Sequence, residues 1–262
     1  MGFTVGKRSV AGIKLSINFD HTFTSDQDHR FWKSLSRQGF HLEEKASEHP
    51  GQICRFIKFE TLPYLEFIHA SKKVNLVKAP GLSFATNSDL EALYKKLCRQ
   101  KLKCTFLHRN YDRKLNDFER RPGWNFIFFK NLGFQTLFPW FTEYEPYLGK
   151  RRKLKPVKHP NGVSAIVGHE FSVNAKGRAF FSQIFKISIN KKVTLKDGTV
   201  FYFKSGRQNY HSKVILNSKD LSKTKKFMKL AKEIDFHGKD ALLLKNPSPN
   251  RRMWSLVITS AS

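Results

Sequence analysis

Two side chains in the first quarter of the chain have the chemistry to bind a cation or move a proton. His21 lies in the run Ile17-Asn18-Phe19-Asp20-His21-Thr22-Phe23-Thr24, and Glu66 in Tyr64-Leu65-Glu66-Phe67-Ile68. Such alternation reads as half-buried strand. Side chains two apart on a strand share a face, so both groups are expected to project inward. Neutral imidazole and carboxylate suit a borderline divalent ion with open positions for a substrate. Such an ion polarises a carbonyl or enediolate while a carboxylate moves the proton. The plainer alternative is a satisfied core histidine beside a glutamate that pairs with a nearby Arg or Lys.

Other candidates are more scattered. His169, in Val167-Gly168-His169-Glu170-Phe171, takes in a later strand the place His21 holds in the first; otherwise it is a core residue. His159 opens the turn signature His159-Pro160-Asn161-Gly162 and either ends a loop or reaches a pocket. Arg113, Arg120 and Arg121 precede Trp124 and can hold an anionic substrate bidentately, the alternative being a solvated charge run. The expected substrate contacts are Arg121, Trp124, His159 and His169. The cysteines, Cys54, Cys98 and Cys104, have no motif spacing and no activating neighbours, so they read as core. There is no glycine-rich phosphate loop and no Ser-His-Asp pattern.

The elements that must position these groups recur. After the His21 strand, Ser25 or Asp26 caps a helix over about 26–38 with Phe31, Trp32 and Leu35 on one face, stopped by Gly39. Further strands end at Ile68. A second unit runs from Leu82 through a helix over 88–100 to Tyr144. The stretch Gly149 to Lys158 is a basic linker. A third unit starts after Gly162, with a helix over 176–186 and a hairpin about Asp197-Gly198. A fourth has a helix over 219–234 and is expected to be clipped. Each unit exposes an apolar sheet face it cannot cover alone, so units must pair. The expected domains are 1–148, the linker 149–158, and 159–262.

Composition narrows the setting. Twenty-five Phe among 262 residues argue for a substantial core. An odd number of cysteines argues against a disulfide framework and for a reduced compartment. The N-terminus lacks the apolar stretch of a signal peptide and no run approaches a membrane span, so a cytoplasmic protein that contacts no membrane is expected. Net charge is +27. It is uneven: 23 basic against 15 acidic residues over 1–148, and 25 against 6 over 149–262. That surplus supports weak, salt-sensitive and sequence-indifferent polyanion binding. The other expected partners are a small-molecule substrate or ligand and a second copy of the chain.

Taken in order, Asp20-His21, Phe31-Trp32, Gly39-Phe40, Tyr64-Leu65-Glu66 and His159-Pro160-Asn161-Gly162 resemble the vicinal oxygen chelate superfamily, and within it the glyoxalase-like domain proteins. The resemblance spans roughly Asn18 to Thr259. It implies an α+β fold of βαβββ units that pair into open, cup-shaped mixed sheets around a divalent metal ion. Carried over, His21, Glu66 and Glu143 become the metal ligands, with Glu66 and Glu143 as the catalytic carboxylates. Glu143 stands one step off the best register. Leu82 or Ser83 stands where a second His is expected, and Leu256 where a further Glu is. The implied activity is metal-dependent chemistry on a small oxygenated substrate, as isomerase, lyase or dioxygenase. The incomplete ligand set favours the alternative, a metal-free protein that binds or sequesters a small molecule. A basic nucleic-acid-associated protein is the third reading.

Overall fold

The computed structural model describes residues 17–26, 29–43, 46–49, 52–70, 80–109, 123–130, 132, 134, 137–145, 147, 150, 153–247 and 253–260. Arg113, Arg120 and Arg121 lie outside them. The first unit is β1 (Ile17–Ser25), α1 (Arg30–Arg37), β2 (Ser47–His49), β3 (Gln52–Ile57) and β4 (Tyr64–Ala70). The second is β5 (Gly81–Thr86), α2 (Leu90–Arg99), β6 (Cys104–Arg109), β7 (Trp124–Phe129) and β8 (Phe138–Tyr144). They share one mixed sheet in the order β2-β3-β4-β1-β5-β8-β7-β6, in which β1 and β5 pair antiparallel while β1–β4 and β5–β8 are parallel.

The third unit is β9 (Val163–Val173), α3 (Ala175–Phe185), β10 (Lys192–Thr194) and β11 (Val200–Ser205). The fourth is β12 (Tyr210–Ser218), α4 (Leu221–Phe227), β13 (Lys232–Asp235), β14 (Asp240–Leu244) and β15 (Ser255–Ser260). They form a second sheet in the order β10-β11-β9-β12-β15-β14-β13. The expected hairpin joins β10 to β11, with Gly198 at φ +87°, where a side chain would be strained. Its Asp197 carboxylate reaches across to accept the Phe19 N–H of β1 at 2.8 Å.

Two expectations for the fourth unit are corrected. The stripe Leu221, Phe227, Leu230 and Ile234 is not one helix over 219–234. Asp220 caps α4 by accepting the Lys223 N–H at 2.9 Å, but the helix ends at Phe227, Leu230 is exposed, and Ile234 sits in β13 opposite Ala241. Beyond Met228 this Lys-rich stretch offers a helix little to bury, whereas pairing with β14 satisfies its backbone and covers Ile234. The clipped unit is therefore the third, with two strands after its helix; the fourth has three.

Both sheets turn one apolar face toward each other. Phe19, Leu82 and Phe84 of the first sheet pack with Phe171, Phe201 and Phe203 of the second and with Phe180, Phe181 and Phe185 of α3. Phe31 and Leu35 of α1, with Leu65 and Phe67, pack against Val214, Leu216, Trp254 and Leu256. This explains the Phe count: the layer between the sheets is aromatic, with edge-on contacts such as Phe84–Phe185 at 5.8 Å. The turn His159-Pro160-Asn161-Gly162 fastens the halves. Asn161 Nδ2 donates to the Gln38 carbonyl at the end of α1, and Thr224 Oγ1 of α4 donates to the Asn161 carbonyl.

The outer face of the first sheet carries a separate cluster of Phe23, Cys54, Ile68 and Trp140. Gly81 lies beneath it. A Cβ there would stand 2.1 Å from the Phe23 ring and 2.4 Å from that of Trp140. Gly81→Ala is expected to force both rings aside and destabilise the fold by about 1–3 kcal/mol. A lower urea midpoint with unchanged slope is the expected signature. An unchanged midpoint would mean that the rings are free to move.

Candidate functional site

β1 and β4 run side by side and parallel, with His21 opposite Tyr64. On β4 the residues Leu65 and Phe67 point into the layer between the sheets, so Tyr64, Glu66 and Ile68 point outward. On β1, Phe19 points inward and Phe23 outward. Regular alternation would send residues 19, 21 and 23 to one face. The break is a bulge: Phe19 faces Phe84 and His21 faces Ser83, so three residues of β1 span two of β5. The extra residue re-aims His21 outward and brings Asp20 beside it.

His21 is thereby held between two carboxylates. Its Nδ1 lies 2.7 Å from Asp20 Oδ2, and its Nε2 lies 3.2 Å from Glu66 Oε2. The ring stacks on Tyr64, centroids 4.8 Å apart and planes at 14°, and meets Trp140 edge-on at 5.3 Å. Tyr144 Oη donates to Asp20 Oδ2 at 3.3 Å, and the Tyr64 and Tyr144 hydroxyls are 3.4 Å apart across the two intervening strands. Those contacts curl the outer face into a cup. Burial alone would push the His21 imidazole toward neutrality, but the hydrogen bonds and charges of Asp20 and Glu66 outweigh it and hold its pKa above the ordinary value.

Strand register also shows which residues stand across the cup. Tyr64 is opposite His21 in the β1–β4 pair, and Trp140 is opposite Ser83 in the equivalent β5–β8 pair. Ser83 therefore corresponds to His21, and Thr142, two residues after Trp140, to Glu66. Both hydroxyls are buried and make no hydrogen bond to the protein. Where the resemblance implies a second histidine and a second carboxylate, this chain has two alcohols.

The remaining expected site residues are dispersed. Glu143 points to the opposite face from His21, because its neighbours Thr142 and Tyr144 occupy the cup face. It accepts from Asn125 Nδ2 at 3.0 Å and lines a cavity of about 500 Å³ with Asp89, Glu91, Phe106, His108, Asn125 and Glu145. The one-residue offset in the β8 register is the physical reason for the correction. His169 also points away from the cup. It is fully buried between the sheets, 4.2 Å from the Phe19 ring centroid and 3.0 Å from His211 Nε2. Its neighbour Glu170 faces outward instead and pairs with Lys204 at 2.7 Å and with Lys213. His159 packs edge-on against Phe40 and Phe59 and accepts the His41 N–H at 2.9 Å. Trp124 lies on the cup face of β7, opposite Tyr144, with its ring edge-on to Phe126 at 5.3 Å. Arg121 is outside the described residues.

The metal expectation can be tested against the donor set. The ion of the resembling family needs side chains from both units. Here one unit supplies His21 and Glu66 and the other supplies Ser83 and Thr142. Among the described residues no three His, Cys, Asp or Glu side chains converge on one point, and both nitrogens of His21 are engaged by carboxylates. The donors present do not make that shell.

No family model matches the chain, and no curated protein matches it. Solved structures do. A hypothetical protein from Staphylococcus aureus superposes with a TM-score of 0.56 at 13% identity, covering 94% of this chain and 99% of that one. A catechol 2,3-dioxygenase gives 0.53 at 11% identity, covering 95% and 94%. A variant of 4-hydroxymandelate synthase from Streptomyces coelicolor gives 0.57 at 7% identity, covering 94% and 92%. The two named enzymes are vicinal oxygen chelate fold members, and the α+β architecture of this chain is theirs. Among the described residues no helix is long and apolar enough to cross a membrane.

Proposed function

We propose that this chain, which carries the vicinal oxygen chelate fold, takes a small oxygenated molecule into the cup of its first sheet and handles a proton there through Glu66 and His21. One observation carries the reading: an imidazole clamped between two carboxylates shares its face of the sheet with two buried hydroxyls that have no protein partner. Ser83 and Thr142 are suited to a ligand's hydroxyl, carbonyl or carboxylate oxygens, because a buried polar group left unsatisfied costs about 1–3 kcal/mol. Trp140 and Tyr64 supply the flat apolar walls on which such a ligand packs. Glu66 is placed to accept a proton from a ligand hydroxyl or from carbon next to a carbonyl. Neutral His21, its Nδ1 held by Asp20, is placed to take that proton from Glu66 at Nε2; Asp20 stabilises the positive charge that results, and the imidazolium can return the proton. By their names one neighbour is a dioxygenase of catechol and another makes 4-hydroxymandelate, and an oxygenated ring or hydroxy acid is the first ligand class to try.

The test has two readouts. Thermal-shift screening with small phenols, hydroxy acids and keto acids should find ligands that raise the melting temperature of the natural chain. Those ligands should bind Ser83→Ala, Thr142→Val and Glu66→Gln roughly 10-fold or more weakly, the weakening expected for loss of about 1.4 kcal/mol or more of hydrogen bonding. Glu66→Gln should also lower the His21 pKa followed by NMR, since one of the two charges that raise it is gone. A stoichiometric divalent ion in protein never exposed to chelator, lost in Glu66→Gln, would overturn this reading in favour of a metal enzyme. Ligands whose affinity ignores all three substitutions would place binding elsewhere.

A further inference from the structure

Outside the cup, two thiols that the sequence read as core are neither deep nor apart. Cys98 is exposed on the last turn of α2, and Cys104, the first residue of β6, is only half buried. Their sulfur atoms are 3.7 Å apart. Cys54, by contrast, is buried in the apolar cluster of the outer face.

The short connection between them is held in one shape. The Lys101 N–H donates to the Cys98 carbonyl at 2.9 Å and the Leu102 N–H to the Leu97 carbonyl at 3.1 Å, with Lys101 at φ +61°. That is the helix-terminating pattern in which a left-handed residue folds the chain back over the last turn. It returns β6 alongside α2 and sets Cys104 under Cys98. Leu102 and Cys104 pack on the layer between the sheets, which anchors the turn. Proximity here comes from backbone hydrogen bonding and packing, not from a chance side-chain rotamer.

We propose that Cys98 and Cys104 are a peroxide-responsive thiol pair that closes to an intramolecular disulfide. In the first step the exposed Cys98 sulfur, as thiolate, attacks one oxygen of hydrogen peroxide. The O–O bond breaks, hydroxide leaves and takes up a proton as water, and Cys98 becomes a sulfenic acid. In the second step Cys104 sulfur attacks Cys98 sulfur, the S–O bond breaks, and a second water leaves carrying the thiol proton. Two thiols and one peroxide give one disulfide and two waters. The order of attack follows from the surroundings: burial and the hydrogen bond that the Cys104 S–H donates to Cys98 push the Cys104 thiol up to about 12, so Cys104 stays protonated until Cys98 is oxidised. The closed pair staples α2 to β6. α2 and its capping residue contribute Glu91 and Asp89, and β6 contributes Phe106 and His108, to the cavity that Glu143 lines, so oxidation fixes two of its walls.

The experiment treats the full-length folded chain with hydrogen peroxide, quenches it, and counts thiols by alkylation with intact-mass and peptide analysis. The expected result is a loss of about 2 Da, a peptide linked between Cys98 and Cys104, a single thiol left at Cys54 that alkylates only after unfolding, and full reversal by dithiothreitol. Cys98→Ser should abolish the mass loss. Cys104→Ser should stop at a Cys98 sulfenic acid that dimedone traps, with no linked peptide. Sulfinic or sulfonic acid on Cys98 without the linked peptide would overturn the proposal. So would disulfide-linked dimers in place of the internal bond, or an unchanged thiol count at peroxide concentrations that oxidise a free thiol in the unfolded chain.

Discussion

Lowering the pH from 7 to about 4 is expected to unfold this protein, and buried histidines are the reason. His169 and His211 lie side by side in the aromatic layer, Nδ1 to Nε2 at 3.0 Å, enclosed by Phe19, Phe171, Phe201 and Trp254. The Lys213 carbonyl accepts from His211 Nε2 at 2.9 Å, which assigns that proton and leaves His169 Nδ1 as the acceptor of the pair. Burial pushes His169 well below 6.5, with the His211 charge adding to it, and pushes His211 to about 3 despite the Lys213 carbonyl and the Glu170 charge. Burial likewise brings His159 to about 4. All three are depressed, so the unfolded chain takes up protons first. Their contribution is fully present above pH 6.5 and is lost as pH falls toward the folded values. Each pH unit in that window removes about 1.4 kcal/mol per group. His159 and His211 over two units remove about 5–6 kcal/mol, already within the stability of an ordinary domain, about 5–15 kcal/mol, and the depressed His169 adds to that loss. His21 acts in a different window: its raised pKa stabilises the fold fully below 6.5 and the benefit fades as pH rises through its folded value, so it does not offset the acid loss from the other three. Melting temperature followed by circular dichroism should fall steeply from pH 6.5 to 4.5. His159→Asn, which keeps an acceptor for the His41 N–H but cannot ionise there, should fall less. A flat profile down to pH 4.5 would refute the assignment.

The same residues show where reading the sequence succeeds and where it stops. Strand, cap and amphipathic helix are local patterns, and the helices read at 26–38, 88–100 and 176–186 form at 30–37, 90–99 and 175–185. His21 and Glu66 were legible because each sits in an alternating strand and the two strands become neighbours. Asp20 was not. Alternation sends it away from His21, and only the bulge against β5 reverses that, through a register that the β1 sequence does not contain. Glu143 failed for the related reason that an error of one residue in a strand moves a side chain to the other face. His169 and Glu170 form the same lesson in the second sheet: the motif-like residue is core and its neighbour faces out. Leu230 and Ile234 misled because the spacing of a helix stripe over four residues also fits a turn followed by a strand. Tyr144 and Thr142 carry no motif at all and became visible only as positions related by pairing, which also decides for Ser83 over Leu82 at the place of the second histidine. Cys98 and Cys104, six apart in sequence, meet because a helix ends between them.

Replacing Trp254 by Ala is expected to cost about 3–5 kcal/mol, the range for emptying a fully buried aromatic site. Trp254 has no exposed surface and lies just before β15, in the second half of the chain, yet it packs into the first. Its ring centroid is 5.8 Å from that of Phe31 on α1, 6.0 Å from Phe67 on β4 and 6.3 Å from His211. Its indole N–H points to the Phe23 carbonyl of β1 at 3.4 Å, two residues past His21. Beside it, Thr24 Oγ1 donates to Met253 Sδ at 3.0 Å, so the strand that carries His21 is fastened at consecutive residues to the segment that leads into β15. The cavity left by Ala therefore opens between α1, β4 and the anchor of β1, and the surrounding strands cannot close on it without breaking their ladders. Two measurements separate packing from the hydrogen bond. Trp254→Phe retains most of the ring volume and loses only the N–H, so it should cost markedly less than Trp254→Ala in urea unfolding. Trp254→Ala should in addition broaden the His21 ring signals in NMR and weaken any ligand of the cup, because the strand that holds His21 against Glu66 loses its support from behind. A Trp254→Ala protein within about 1 kcal/mol of the natural chain, far below the usual cost of such a cavity, would show that the two sheets are held together elsewhere.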